Sequence, residues 1–333
     1  MRRLLALAPS LALALTLALG APAAAEPFRL IISDLETPLV PNSVLDLALS
    51  GGYFARAGVD VQLVRVQQTP MALTALQAGE GEMANVSTDA LLQLVARGTT
   101  DLRAVMSPNR SLPYLIAARA EITDPKQLEG HSFGIGRVGS LDHSLSSKVL
   151  AAKGVDVAKL NLVPLGQPPV RAQALAAGQV DATTMSVGVW TTMPDRDKVS
   201  IVVGVDDYYA AAPVTTKVNV VTTRVLETRR AEVEKVIEAL VLAARDFRTP
   251  ETWVETMTVA RPDVARADLE TLARSYRNSW SVDGGITAKE LEGTSEWMYG
   301  TEDFKGLRPV SLSEWTDFGP LQAVLQKLGP AQG

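Results

Sequence analysis

The sequence predicts an α/β protein of two lobes, each a mainly parallel sheet flanked by helices, with two strand-like segments crossing between them. Three observations lead there. The first is a repeated phrase. Ala75-Leu76-Gln77-Ala78-Gly79 runs into Glu82-Met83-Ala84-Asn85, and Ala174-Leu175-Ala176-Ala177-Gly178-Gln179-Val180 runs into Asp181-Ala182. Each reads as the end of a short helix, a Gly stop and a short strand that delivers a loop. A proline loop opens each helix, Gln68-Thr69-Pro70 in one and Gln167-Pro168-Pro169 in the other. The second observation is the alternation of short apolar runs with helical runs, which implies a mainly parallel sheet. The third is that no low-complexity tract or ordinary linker separates the two halves, so one lobe is interrupted by the other. The boundaries place the first lobe at 26–115 and 215–333 and the second at 116–214.

The elements follow in order. Phe28-Arg29-Leu30-Ile31-Ile32 is a buried first strand, and the polar stretch 33–43, with two prolines, is the loop at its carboxyl end. Val44 to Ser50 is helical, and Gly51-Gly52 stops it. Val59 to Val64 alternates as a second strand; a helix at 70–78, a strand at 82–86 and a helix at 88–96 come next, with Thr88 or Asp89 as N-cap. Leu102 to Met106 and Leu115 to Ala118 are strands around the loop 107–113. In the second lobe, a short helix at 124–128 precedes a strand at 132–135, the loop 137–142, a helix from Ser144 to Lys153, and strands at 161–165 and 200–204. Lys217 to Val221 is a strand returning to the first lobe. The remainder is mostly helical, at 229–247, 250–259, 267–275, 288–299 and 320–328.

The first 25 residues read as an export signal. Arg2 and Arg3 precede an apolar run from Leu4 to Leu19, and Ala23-Ala24-Ala25 fits the small-x-small cleavage rule. The alternative is a membrane anchor, but the run is shorter than the roughly 20 residues a span requires. With no Cys in the chain, a lipid anchor on a cleavage-site cysteine, disulfides and thiolate chemistry are all excluded. A free periplasmic protein, not embedded in a membrane and expected to be a monomer, is the simplest expectation. The 333-residue chain is 47% hydrophobic and 21% charged, as expected for a large globular core. The net charge of −5 becomes about −7 without Arg2 and Arg3. That balance, with no basic stripe, argues against nucleic acid.

Taken together, these phrases resemble one family. Gly51-Gly52-Tyr53-Phe54-Ala55-Arg56-Ala57-Gly58-Val59-Asp60-Val61 is similar to the "G-y-F-a-x-x-G-l-x-V" phrase of ABC-transporter substrate-binding proteins. The branch it resembles serves aliphatic sulfonates, taurine and nitrate, and includes binders of thiamine precursors. Leu73 to Val86, Ile122 to Gly130, Gly139-Ser140, Ala174 to Ala182, Val218 to Thr223 and Val282 to Ile286 extend the match, in order, over nearly the whole mature chain. The resemblance implies a two-lobed periplasmic binding protein of type II, with two hinge strands, closing on one solute and docking on the transmembrane subunits of an ABC permease. Two stretches depart from the pattern. Thr183 to Trp190 stands where an acidic residue or Pro is frequent, and Glu129-Gly130-His131 replaces a frequent Lys-Gly-Lys.

Ligands of α/β sheets sit beyond the strands' carboxyl ends. The candidate loops are 34–42, 67–71, 85–89, 107–110, 137–142, 184–190 and 206–209. Several open helices, whose free N–H groups and positive end favour an anion. Gly139-Ser140 is a place for a carboxylate, sulfonate or phosphoryl oxygen, unless Ser140 is only an N-cap. Arg110 or Arg137 would supply the charge through a two-pronged guanidinium bond, although Arg137 also reads as a solvated loop charge and Arg110 as an interlobe ion pair. Thr69, Asn85, Ser87, Thr88 and Ser186 are hydroxyl and amide candidates that also suit helix capping. Trp190 and Tyr208 offer rings for a planar solute, or fill core. Asp34, Glu36 and Thr37 in the first loop would receive an ammonium or ring N–H, and a simple anion is a poorer ligand if they point inward. An organic anion, sulfonate or carboxylate, is the first expectation; a neutral planar heterocycle or aromatic is the second. An exported enzyme or a ligand sensor is the alternative of another class.

Nothing in the sequence marks catalysis. His131 and His143 are the only histidines and lack metal-ligand spacing, and no G-x-S-x-G elbow occurs. No cofactor is expected. Residues 134–139 do spell G-x-G-x-x-G, but the following helix is expected to begin only at Ser144, which argues against a dinucleotide fingerprint. The resemblance also covers thiamine-precursor enzymes that use a Cys-containing motif and a sacrificial His; without Cys that activity is unsupported.

Overall fold

In the computed structural model, residues 26–110 and 113–331 are described, so the export signal expected over the first 25 residues lies outside them. The first sheet contains β1 (Phe28–Ile32), β2 (Val61–Arg65), β3 (Met83–Ser87), β4 (Leu102–Met106) and β10 (Lys217–Thr222), in the order β2-β1-β3-β10-β4. The second contains β5 (Tyr114–Arg119), β6 (Ser132–Ile135), β7 (Asn161–Pro164), β8 (Ala182–Ser186) and β9 (Val199–Val203), in the order β7-β6-β8-β5-β9. Both orders follow one rule: second strand, first, third, a strand arriving from the other lobe, then the last. The arriving strand is the antiparallel member in each case. β10 runs against β3 (Asn219 opposite Asn85) and against β4 (Val220 opposite Ala104). β5 runs against β8 (Ile116 opposite Thr184) and against β9 (Ala117 opposite Ile201). The two-lobed α/β architecture expected from the sequence is the one observed.

The repeated phrase has a physical cause. Its acidic residue ties the third strand of each lobe to the start of the first. The Glu82 carboxylate accepts from the Arg29 N–H at 2.6 Å, while the Glu82 N–H donates to the Arg29 carbonyl at 2.9 Å. In the second lobe the Asp181 carboxylate accepts from the Ser132 N–H at 2.8 Å, and the Asp181 N–H donates to the Ser132 carbonyl at 3.1 Å. Helices Thr69–Gln77 and Pro168–Ala176 lead into these strands from equivalent positions. Their small apolar residues lie on the sheet, with Ala72, Leu73, Ala75 and Leu76 buried in one and Ala172, Ala174 and Leu175 in the other.

One large core lies around the first sheet and draws in the C-terminal helices. Helix Arg230–Phe247 buries one apolar face, from Val233 to Phe247, and Trp253 and Tyr276 meet edge to face at 5.7 Å. The second sheet carries a smaller core on each face. The structure corrects several sequence expectations. Residues 206–209 are not a loop but part of helix Val205–Ala211, and short helices at Tyr53–Arg56 and Thr223–Thr228 were not foreseen. The helix expected from Ser144 begins at Leu141.

The Glu82 carboxylate sets a pH dependence. Burial raises its pKa, but the Arg29 hydrogen bonds, with Arg229 alongside, outweigh this and hold it below the usual glutamate range. A depressed folded-state value adds stability above the unfolded pKa, and that stability is lost as pH falls through the folded value. Glu82→Gln is therefore expected to cost about 1–2 kcal/mol at neutral pH, the partly exposed Arg29 lowering the figure. Urea unfolding across a pH series should show the gap from the parent protein closing as pH drops below the ordinary glutamate range. A gap independent of pH would contradict the assignment.

Candidate functional site at the facing sheet edges

Each arriving strand places its first residue at the carboxyl edge of the sheet it joins. Lys217 pairs with Ser87, and Tyr114 pairs with Ser186. Both strands slip register at the same place, after their third residue (between Asn219 and Val220, and between Ile116 and Ala117). Lys217 and Tyr114 are thus equivalent positions, presented from the two sides of one cleft.

On the first-lobe side, four buried amides form a chain. Asn109 Nδ2 donates to Asn42 Oδ1 at 3.2 Å, Asn42 Nδ2 to Asn85 Oδ1 at 3.2 Å, and Asn85 Nδ2 to Asn219 Oδ1 at 2.9 Å. Asn42 Nδ2 also reaches Asp34 Oδ2 at 2.9 Å. The chain locks the first-strand loop and the 107–110 crossing to β3 and β10, with the specificity of a buried polar network. Lys217 stretches from β10 past the end of β3 to the end of β1, where Nζ donates to Ser33 Oγ at 2.8 Å. Burial lowers its pKa, countered in part by Asp34 and Asp89. Asp89 lies in the first turn of helix Thr88–Ala96. Burial pushes its carboxyl up, and the nearby Ser87 hydroxyl offsets part of this. Its Oδ1 is buried without a donor, and Thr88 Oγ1 and Thr216 Oγ1 are buried without partners.

The second-lobe side is already neutralised. Asp142, in the first turn of helix Leu141–Ala152, accepts from the Gly136 N–H at 2.7 Å and from Ser140 Oγ at 2.6 Å. The Gly139 N–H is used by His143 Nδ1 at 3.2 Å. Buried Arg171 lies 3.6 Å from Asp142 and donates to Thr183 Oγ1 and to the Gly166 and Thr184 carbonyls. The helix start that was expected to hold an external oxyanion thus holds the chain's own carboxylate. The same bonds occupy the Gly136 and Gly139 amides of the G-x-G-x-x-G run, although its helix does start at Leu141. Above this network, Tyr208 tilts against Tyr114 at 5.6 Å, and burial raises both phenols. The Tyr208 hydroxyl has no hydrogen-bond partner.

The structure gathers some of the candidates and disperses others. Asp34, Asn85, Ser87, Thr88 and Tyr208 belong to the facing edges. Thr69 Oγ1 accepts from the Ser87 N–H at 3.2 Å, and Ser186 Oγ caps its helix by accepting from the Val189 N–H at 3.2 Å. Thr37 turns to Asp46 at 3.3 Å, and Glu36 is exposed, 3.5 Å from Arg261. Arg110 is ion-paired with Asp283 and lies 3.6 Å from Glu290, so its guanidinium is engaged within the first lobe. Arg137 is exposed, and Ser140 bonds to its backbone rather than to its guanidinium. Trp190 packs against the smaller second-lobe core. Lys217, Tyr114 and Arg171 lie at the same edges but were not among the sequence candidates, and Asp89 and Asp142 fell inside the candidate loops without being named as ligands. The signal for Lys217 and Tyr114 was their place at the head of the crossing strands.

The lobes meet around this cleft. Gln167 Nε2 donates to the Gln67 carbonyl at 3.1 Å, and Ser144 bonds to Asp303. At Gly188 the approach is so close that a Cβ would sit 2.0 Å from the Leu39 carbonyl oxygen, which Tyr276 Oη holds at 2.6 Å. Only glycine permits this closed arrangement. Gly188→Ala, benign for an isolated helix, is expected to hold the lobes apart. Small-angle scattering should report a larger radius of gyration than the parent under conditions where the parent is closed. Equal radii would show that Gly188 does not set the closed angle.

A family model described as NMT1/THI5 like matches residues 44–251, more than half of the chain, and the chain belongs to that family. No curated protein matches the sequence. Among solved structures, the ligand-binding component of an ABC-type import system from Staphylococcus aureus, solved with zinc bound, aligns with a TM-score of 0.72 and 12% identity, covering 89% of this chain and 98% of that one. The periplasmic aliphatic sulphonate binding protein SsuA from Escherichia coli aligns at 0.69 and 15%, covering 88% and 92%. The desulfurization enzyme DSZB aligns at 0.61 and 16%, covering 91% and 100%. These likenesses support the fold. Among the described residues, no helix is long and apolar enough to cross a membrane, and no three His, Cys, Asp or Glu side chains gather as a metal site.

Proposed function

We propose that this protein is the solute-binding component of an ABC importer: it captures a small polar organic molecule between its lobes and delivers it to a membrane permease. The observation that carries this reading is the pair of sheets, each completed by a strand from the other lobe, whose carboxyl edges face one another and leave buried polar groups unpartnered. Closure follows if the solute binds the closed arrangement better than the open one. Family membership, and neighbours named as import and sulfonate-binding proteins, support it. The role is non-catalytic, needs no cofactor, and is carried out by an exported, periplasmic monomer cleaved near Ala25. One neighbour is named as an enzyme, so turnover belongs among the tests.

The expectation of an organic anion rested on Arg110, Arg137 and the Gly139-Ser140 helix start. With those groups engaged or exposed, an anion has Lys217 as its candidate cation on the first lobe. The expectation of a planar heterocycle keeps Tyr114, against which the buried Tyr208 tilts, and the half-buried indole of Trp190 beside the second-lobe core.

Protein purified without denaturation is expected to release a small molecule that mass spectrometry identifies. Added back to stripped protein, that molecule should raise the melting temperature and reappear unchanged. Mass action gives about 2.7 kcal/mol at a hundredfold excess over Kd. Conversion of the molecule would make the protein an enzyme. The receptor reading fails if no retained molecule, and no sulfonate, carboxylate, amine or heterocycle, stabilises the protein.

A further inference from the structure

The lobes also touch away from the facing sheet edges. Helix Leu141–Ala152 belongs to the second lobe, with Leu145, Val149 and Leu150 in its core. Helix Ala288–Tyr299 belongs to the first, with Leu291 and Met298 in that core. Each helix end receives a charge from the other lobe. Lys148 Nζ donates to the Trp297 carbonyl at 3.0 Å, in the last turn of the first-lobe helix, and lies 4.5 Å from the centre of the Trp297 ring. Asp303, just beyond that helix, accepts from the Ser144 hydroxyl in the first turn of the second-lobe helix. A cation thus sits at a helix C-terminus and a carboxylate at a helix N-terminus, the favourable polarity at both. The Trp297 indole N–H reaches the Ala211 carbonyl at 3.4 Å, at the end of second-lobe helix Val205–Ala211. Glycines leave the room: a Cβ on Gly300 would come 2.8 Å from Lys148 Nζ, and one on Gly139 would come 3.3 Å from Asp303 Oδ1.

Lys148 is half-buried, and burial alone shifts its pKa, downward; no carboxylate offsets it. Its ammonium gives up water for a carbonyl and a ring face, a contact that strengthens as water is excluded. Both of those partners stand on the other lobe. None of Ser144, Lys148, Trp297 and Asp303 belongs to the facing sheet edges, and every partner in the seam is a protein group. The seam therefore forms whether or not the cleft is filled.

We propose that this seam is a latch. Lys148 on Trp297 and Ser144 on Asp303 hold the lobes closed without help from the solute, so the protein is mainly closed before solute arrives. Two crossings alone leave the lobes free to swing, and the latch biases that two-state equilibrium. It regulates the site of the receptor reading and rests on that reading only for its consequence: a closed protein must open before solute enters, which slows association.

The chain has no Cys, so Gln77→Cys and Gln173→Cys, exposed on one helix of each lobe, carry a clean pair of spin labels. Pulsed electron resonance then reads the interlobe distance in protein stripped of solute, with stripping checked by mass spectrometry. The parent is expected to show one dominant distance, that of the closed arrangement. Lys148→Met and Asp303→Asn should each raise the fraction at longer distance about twofold or more, and together move most molecules there. A stripped parent that is mostly open overturns the proposal. So do folded variants with the parent's distances, which would make the seam a fixed pivot. Asp303→Asn keeps the side chain's size and serves if Lys148→Met misfolds, and the parent alone is able to overturn the idea. The measurement uses no solute. An open parent would sink the latch and leave the receptor standing, whereas failure of every solute to stabilise the protein would sink the receptor and leave these distances as they are.

Discussion

Everything in this fold depends on the strand each lobe takes from the other. β10 lies between β3 and β4 and pairs with both, so without it the first sheet would split and expose two unpaired edges. β5 does the same between β8 and β9. Backbone hydrogen bonding therefore makes the lobes inseparable while leaving the chain just two crossings about which to bend. The same strands bring their first residues, Lys217 and Tyr114, to the edges where the lobes face each other. The crossing strands and the candidate site therefore share these residues.

The two sides of the cleft differ in charge logic. In the second lobe Asp142 fills the helix start and Arg171 is spent on carbonyls, so what remains for a partner is hydroxyl and phenol. In the first lobe the Lys217 ammonium donates to Ser33 Oγ, and the buried Asp89 Oδ1 has no donor. Under the receptor reading, the charged group of the solute is recognised on the first lobe, and the second closes over it through neutral contacts. The close approach of Gly188 to Leu39 then limits how far closure goes.

The repeated phrase carried most of the fold in the sequence because its acidic residue has a fixed job. Glu82 and Asp181 each accept from an N–H at the start of the opening strand, Arg29 and Ser132, and the Gly before each lets the helix end. Buried strands such as Phe28–Ile32 were legible because they are short, mostly apolar runs before turn signals, Arg29 being the single exception in this one. The helix Val205–Ala211 was not legible: Asp206-Asp207-Tyr208-Tyr209 looks like a polar loop, and only packing of Tyr208 on Tyr114 shows otherwise. The site was read less well. Loop position can be deduced from topology, but whether Arg110 is free depends on Asp283, 173 positions away in sequence. Ser140 likewise looked like a ligand group because its bond to the Arg137 carbonyl is not visible in spacing.

A crystal structure of the protein with its co-purified solute would show whether solute sits between the lobes, against the two crossing strands. Density is expected between Lys217 on one side and Tyr114 on the other, with Gln67 and Gln167 still bridging the mouth. Solute bound on an outer face of either lobe, or a cleft that stays closed and empty beside it, would contradict the claim.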